Sequence, residues 1–167
     1  SAKVDVTLSE GLRLVAPLEA GPGARATFHP RGVLAVLGPF NFPAHLPNGH
    51  IVPALATGNT VLWKPSELAP AVASWLGEAW HEAGLPDGVL GIVHGAADTG
   101  RALAVHPDVD GVLFTGSSVA GEAITEATLH QPGKLLALEL GGKNGVLVLE
   151  DADLALAVAE TAVSGCT

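Results

Sequence analysis

From Ala26 onward, short apolar runs alternate with longer stretches of helical periodicity, and the connections between them are brief. This alternation is the strongest constraint on the fold. Runs of Val, Leu and Ala bounded by Gly or Pro suit strands buried on both faces. Parallel strands in turn require a crossover, usually a helix, between each pair. The spacing predicts strands over 32–37, 60–63, 89–93, 111–114, 134–138 and 145–149, and helices over 45–56, 71–83, 98–105, 117–129 and 153–163. Pro53 should bend or locally break the first of these helices. The expected fold class is α/β, an open, mostly parallel sheet with helices on both faces. Ahead of it, residues 1–18 carry a mixed apolar pattern that fits a helix end or a short strand, and 19–24 read as a loop rich in Gly and Pro.

Length and charge narrow the function classes. A chain of 167 residues fits one domain, and 48% apolar with 15% charged residues is a globular composition. Its net charge of -9 argues against a nucleic-acid partner, which calls for a basic footprint. No apolar run approaches the roughly 18 residues of a membrane span, and the amino end lacks the order of a signal peptide. The lone Cys166 fits a reducing, cytoplasmic compartment. Seven histidines show no His-x-x-x-His pair and no cysteine partner at zinc spacing, so no metal site is expected. Trp63, Trp75 and Trp80 lie on apolar faces and read as core.

Four short motifs sit where a parallel α/β sheet places its ligands, just past the carboxyl ends of strands. In Gly38-Pro39-Phe40-Asn41-Phe42-Pro43 the Asn41 amide could donate to a developing oxyanion, or serve only as a turn residue. In Lys64-Pro65-Ser66-Glu67, Lys64 could donate to ribose hydroxyls or a phosphate. Glu67 could accept from both hydroxyls of an adenosine ribose, and its charge would oppose a 2′-phosphate, favouring NAD over NADP. A solvated surface pair is the plainer reading of the two. Phe114-Thr115-Gly116-Ser117-Ser118-Val119-Ala120-Gly121 joins a strand to a helix, and the helix start with Ser117 would face a pyrophosphate. The Gly-x-Gly-x-x-Gly fingerprint is missing there, and an N-cap by Ser117 explains the residues nearly as well. In Leu136-Ala137-Leu138-Glu139-Leu140-Gly141-Gly142-Lys143-Asn144, Glu139 stands inside an apolar run. Poor solvation there would raise its pKa toward the range of a general base. A helix cap or ion-pair partner is the alternative.

Taken in this order, the four motifs resemble the cofactor-binding domain of the aldehyde dehydrogenase superfamily, over about residue 28 to the end of the chain. Within it, His45-Leu46-Pro47-Asn48-Gly49-His50-Ile51-Val52-Pro53-Ala54-Leu55 is similar to the subgroup that oxidises N-succinylglutamate 5-semialdehyde in bacterial arginine degradation. The resemblance implies a Rossmann-like sheet that forms part of a larger aldehyde dehydrogenase fold. It implies Asn41 as the oxyanion donor and Glu139 as the base that activates water for thioester hydrolysis. Lys64 and Glu67 would hold the adenosine ribose of NAD, and Gly116, Ser117 and Gly121 would line the pyrophosphate site. The expected substrate is a small aldehyde, and the full-length enzyme is expected to be a homo-oligomer.

The departure is the nucleophile. In the family a cysteine in a Gly-Gln-x-Cys type loop lies about thirty-odd positions beyond the base, whereas this sequence runs 28 residues past Glu139. Cys166 stands in Val163-Ser164-Gly165-Cys166-Thr167, with no Gly-Gln before it, and reads as a packing cysteine near a helix end. Residues 1–27 are therefore expected to be a remnant of the amino-terminal region and 28–167 an NAD-binding domain truncated before the catalytic domain, inactive alone. A standalone nucleotide-binding or interaction module, with Glu139 vestigial, is the alternative.

Overall fold

The computed structural model describes residues 18–19, 25–26, 28–142 and 145–166. The pattern over 1–17, most of the 19–24 loop, and Lys143 and Asn144 lie outside these residues. Strands β1 (Leu18–Glu19) and β2 (Arg25–Ala26) pair antiparallel as a two-stranded ribbon, so Glu19 is a strand residue rather than the start of the expected loop.

The main sheet contains β3 (Val33–Leu37), β4 (Thr60–Lys64), β5 (Leu90–Ile92), β6 (Gly111–Gly116) and β7 (Leu135–Leu140), all parallel, in the order β5-β4-β3-β6-β7. The chain winds outward from β3 to β5, then returns to build β6 and β7 on the other side of β3. The strand order therefore reverses between β3 and β6. At such a point the helices that follow the two strands leave on opposite faces and a crevice opens at the carboxyl ends.

Packing bears this out. Helices α1 (His45–Ala56) and α2 (Pro70–Glu82) cover one face, where Leu34, Val36, Trp63 and Leu113 of the sheet meet Ile51, Val52, Leu76 and Trp80. On the other face, Ala35, Leu37 and Val112 meet Ala104 of α3 (Ala97–Val105) and Ile124 of α4 (Ser118–Thr128). Alternate strand residues thus feed two separate cores, as the pleat requires. Helix α1 continues through Pro53 as a single element. A proline has no N–H, so the Gly49 carbonyl loses its helical partner there.

Two sequence expectations fail in this frame. Trp75 is 65% exposed. The buried stripe of α2 runs through Ala73, Leu76 and Trp80, at i, i+3 and i+7, and Trp75 falls on the far side of the helix from it. The strand expected over 145–149 does not form: Val146 to Leu149 are exposed and unpaired, and among the described residues the sheet ends at β7. A short apolar run carries no periodicity that distinguishes a strand from an uncovered loop. The chain then enters α5 (Leu154–Cys166), whose first turn is capped by Asp153 Oδ1, accepting from Ala155 N at 2.9 Å and Leu156 N at 3.1 Å.

Asn59 ties the end of α1 to the start of β3. Its buried side chain accepts from Arg31 N (2.6 Å) and Gly32 N (3.1 Å) and donates to Ala54 O (3.0 Å) and Thr57 Oγ1 (2.8 Å). Asn59→Ala leaves two backbone donors without their acceptor. Its expected cost is about 3 kcal/mol, from the penalty on unsatisfied buried groups, read as a lower urea midpoint at unchanged m-value.

Candidate active site

A cleft of about 1360 Å³ opens at the carboxyl ends of β3, β4, β6 and β7, over the reversal in strand order. Asn41, Lys64, Glu67, Gly116, Ser117 and Glu139 all line it. Residues spread over about a hundred positions of sequence are gathered in one place because each stands at the end of its strand or in the turn that follows.

The sheet divides these residues into two groups. Lys64 lies on the α3 face, where its stem packs beside Gly100; a Cβ at Gly100 would lie 3.6 Å from Lys64 Cδ. Lys64 is 7% exposed, and its ammonium donates to Pro65 O at 2.8 Å and Glu67 Oε2 at 3.3 Å. It is therefore a buried cation with one polar partner of opposite charge, not half of a solvated surface pair. An ammonium has three protons to donate, and two are used, which leaves one for a ligand in the cleft. Glu67 is more open. Its own backbone N–H and then Lys64 hold its carboxyl below the usual range, keeping it anionic and ready to accept from hydroxyls.

Gly116 ends β6 and Ser117 caps α4, its Oγ accepting from Ala120 N at 3.3 Å. The cap leaves the Ser117 O–H free to donate, and the helix amino end adds its partial positive charge. Gly121 does not join this group. It is buried one turn into α4, where a Cβ would lie 2.6 Å from Leu140 Cδ2. Its small size lets α4 close onto β7, and it is not among the residues that line the cleft.

The second group faces α1. Asn41 lies in the bend after β3, exposed between Phe40 and Phe42, and among the described residues its amide makes no hydrogen bond. Glu139 is exposed too, against the burial that its apolar neighbours in sequence predict. In a strand, neighbours point to opposite faces. Leu138 belongs to the α3–α4 core and Leu140 meets α4 at Gly121, so Glu139 points the other way, into the cleft.

His50 also lines the cleft, a position that metal-ligand spacing does not single out. It is half-buried in α1 and its Nε2 lies 3.3 Å from Thr115 Oγ1. Burial pushes its imidazole below the ordinary 6.5, while the Glu139 carboxylate acts in the opposite sense. Helical spacing is the signal that could have found it: His45, Gly49 and His50, at i, i+4 and i+5, share the face that lines the cleft, while Pro47, Ile51 and Ala54 are buried. Among the described residues, no group of three or more His, Cys, Asp or Glu could hold a metal ion, and no helix is long and apolar enough to cross a membrane.

The doubly wound sheet thus carries, at the cleft over its switch point, a buried cation and a carboxylate on one face and an amide and an open carboxylate on the other. The family model for the aldehyde dehydrogenase family matches residues 9–167, and the chain belongs to that family. Among curated proteins it is similar to N-succinylglutamate 5-semialdehyde dehydrogenase of Sphingopyxis alaskensis, with 55% identity over 139 residues, covering 82% of this chain and 29% of the relative. Among solved structures it is similar to an indole-3-acetaldehyde dehydrogenase in apo form (TM-score 0.81, 37% identity, 94% of this chain and 37% of that one). It is also similar to PnpE from Pseudomonas sp. WBC-3 (TM-score 0.80, 36% identity, 93% and 33%). The chain thus spans about a third of the length of these relatives.

Proposed function

We propose that residues 28–167 form the NAD-binding portion of an NAD-dependent aldehyde dehydrogenase that converts N-succinylglutamate 5-semialdehyde to N-succinylglutamate in arginine catabolism. The observation that carries this reading is the single cleft that brings Lys64 and Glu67 together with Asn41 and Glu139 across the carboxyl edge of the sheet. The 55% identity to a relative named for that aldehyde supports the substrate. The complete enzyme on this reading is a cytoplasmic homo-oligomer.

When bound, NAD supplies the hydride acceptor. Lys64 and Glu67 hold the adenosine ribose on the α3 face, and Gly116 with Ser117 takes the pyrophosphate at the start of α4. Asn41 donates its amide N–H to the oxygen that gains charge when a thiolate adds to the aldehyde. Glu139 takes a proton from water as the water attacks the resulting thioester. The exposure of Glu139 leaves room for that water. Cys166 ends α5 without the Gly-Gln context of the family nucleophile, so the 167 residues alone bind NAD without reducing it.

The test is NADH formation from NAD and N-succinylglutamate 5-semialdehyde, followed with this chain and with the complete dehydrogenase. The reading expects none from the chain and turnover from the complete protein. NADH formation by the chain that is abolished in Cys166→Ser would overturn the assignment of Cys166, and a complete protein inert toward this aldehyde would overturn the substrate.

A further inference from the structure

We propose that Gly49 sets the substrate class of the site: its missing side chain leaves the gap in the α1 wall of the cleft that takes the bulky, anionic N-acyl chain of an N-acylated amino-acid semialdehyde. The proposal rests on the reading above, in which N-succinylglutamate 5-semialdehyde reacts beside Asn41.

Gly49 stands inside α1, a position where glycine makes a helix less stable than alanine would. Elsewhere in the helices a neighbour accounts for the glycine. A Cβ at Gly77 would lie 2.5 Å from Ile92 Cδ1, one at Gly121 would lie 2.6 Å from Leu140 Cδ2, and Gly100 borders the stem of Lys64. A Cβ at Gly49 would meet nothing within 4 Å. The backbone does not call for glycine either, since Gly49 is helical and has no positive φ. Among the described residues nothing therefore requires a glycine at 49. What the residue provides is open space in the cleft, whose wall it helps to form.

That space lies on the side of the sheet where the chemistry is assigned. The turn that carries Asn41 runs directly into α1, and Gly49 follows His45 by one helical turn. The residues assigned to the adenosine ribose stand with Lys64 on the α3 face, so the ligand at the α1 wall is the aldehyde rather than NAD. Its reacting end belongs near Asn41 and Glu139, which leaves the branched far end for the gap at Gly49.

The charges suit an anionic chain there. Helix α1 contains no Asp or Glu, and its cleft face presents His45 and His50. No side chain caps its amino end, so the partial positive charge of the helix start is left for a ligand. The walls formed by α3 and α4 present Asp98 and Glu126 instead. A semialdehyde whose N-acyl branch ends in carboxylates is thus favoured along α1 and disfavoured along α3 and α4.

Steady-state kinetics of the complete dehydrogenase test this, with N-succinylglutamate 5-semialdehyde and with propanal, an aldehyde without a branch, in the wild type, Gly49→Ala and Gly49→Leu. The ratio of kcat/KM for the N-acyl aldehyde to that for propanal should fall about tenfold in Gly49→Ala, the low end of what one methylene sets in a pocket. It should fall further in Gly49→Leu. The urea midpoint of the 167-residue chain should rise in Gly49→Ala, because alanine is the better helix former; lost discrimination beside a firmer fold separates a specificity role from a packing one. A ratio unmoved in both variants, in an enzyme that turns over N-succinylglutamate 5-semialdehyde, would overturn the proposal alone. A wild-type protein inert toward that aldehyde would overturn the functional reading and the proposal with it.

Discussion

Glu139→Gln in the complete dehydrogenase is expected to lower kcat by about 10²–10⁴-fold, the range lost with a positioned general base, while NAD affinity stays unchanged. The split follows from the placement of the two groups of cleft residues. Glu139 stands on the α1 face, and the residues assigned to the adenosine ribose stand with Lys64 on the α3 face. A glutamine at 139 keeps the shape of the side chain and removes only the capacity to take a proton. On the proposed reading, hydride transfer precedes the step that needs the base, so a rapid-mixing experiment should still show one equivalent of NADH before turnover stalls. Loss of that first equivalent would move Glu139 to an earlier step, and wild-type turnover would remove it from the base role.

Trp63→Ala should be the most damaging substitution for stability, at about 3–5 kcal/mol for a fully buried aromatic side chain. Trp63 is 0% exposed and stands in β4 between Val36 and Ile92 in the sheet register. It also meets the close turn at Gly38, where a Cβ would lie 3.1 Å from Trp63 Nε1. A domain has only about 5–15 kcal/mol in total, so the variant should be largely unfolded or melt far below the wild type. Trp75→Ala is the internal control, expected to change stability by about 0.5 kcal/mol or less as an exposed position. Equal effects at the two tryptophans in urea denaturation would contradict the assignment of the core.

Much of the fold was legible because the physics is local. Helix α1 is predicted over its observed bounds, since Thr57, Gly58 and Asn59 end it unambiguously, and Gly58 takes φ +84. Strands β3, β4, β5, β6 and β7 fall within two residues of the periodicity that predicts them. Failures arise where the answer depends on what covers a residue. Glu139 stands inside an apolar run and 145–149 is one, yet Glu139 and residues 145–149 are exposed. The converse error concerns Lys64, a charged residue whose burial is set by Gly100, distant in sequence. The site shows the same division. Six of the cleft-lining residues are legible as strand-end motifs, whereas Gly121 lies outside the lining and His50 becomes visible only once α1 is laid against Thr115.

On the proposed reading the cleft holds NAD through Lys64, and isothermal titration of the 167-residue chain with NAD is the decisive experiment. The predicted result is saturable binding at one site, weakened by about tenfold or more in Lys64→Met, since a hydrogen bond from a charged donor contributes about 1.5–3 kcal/mol. Methionine keeps the stem that packs beside Gly100 and removes the ammonium. An absence of binding by a folded chain, or the same affinity in Lys64→Met, would contradict the account.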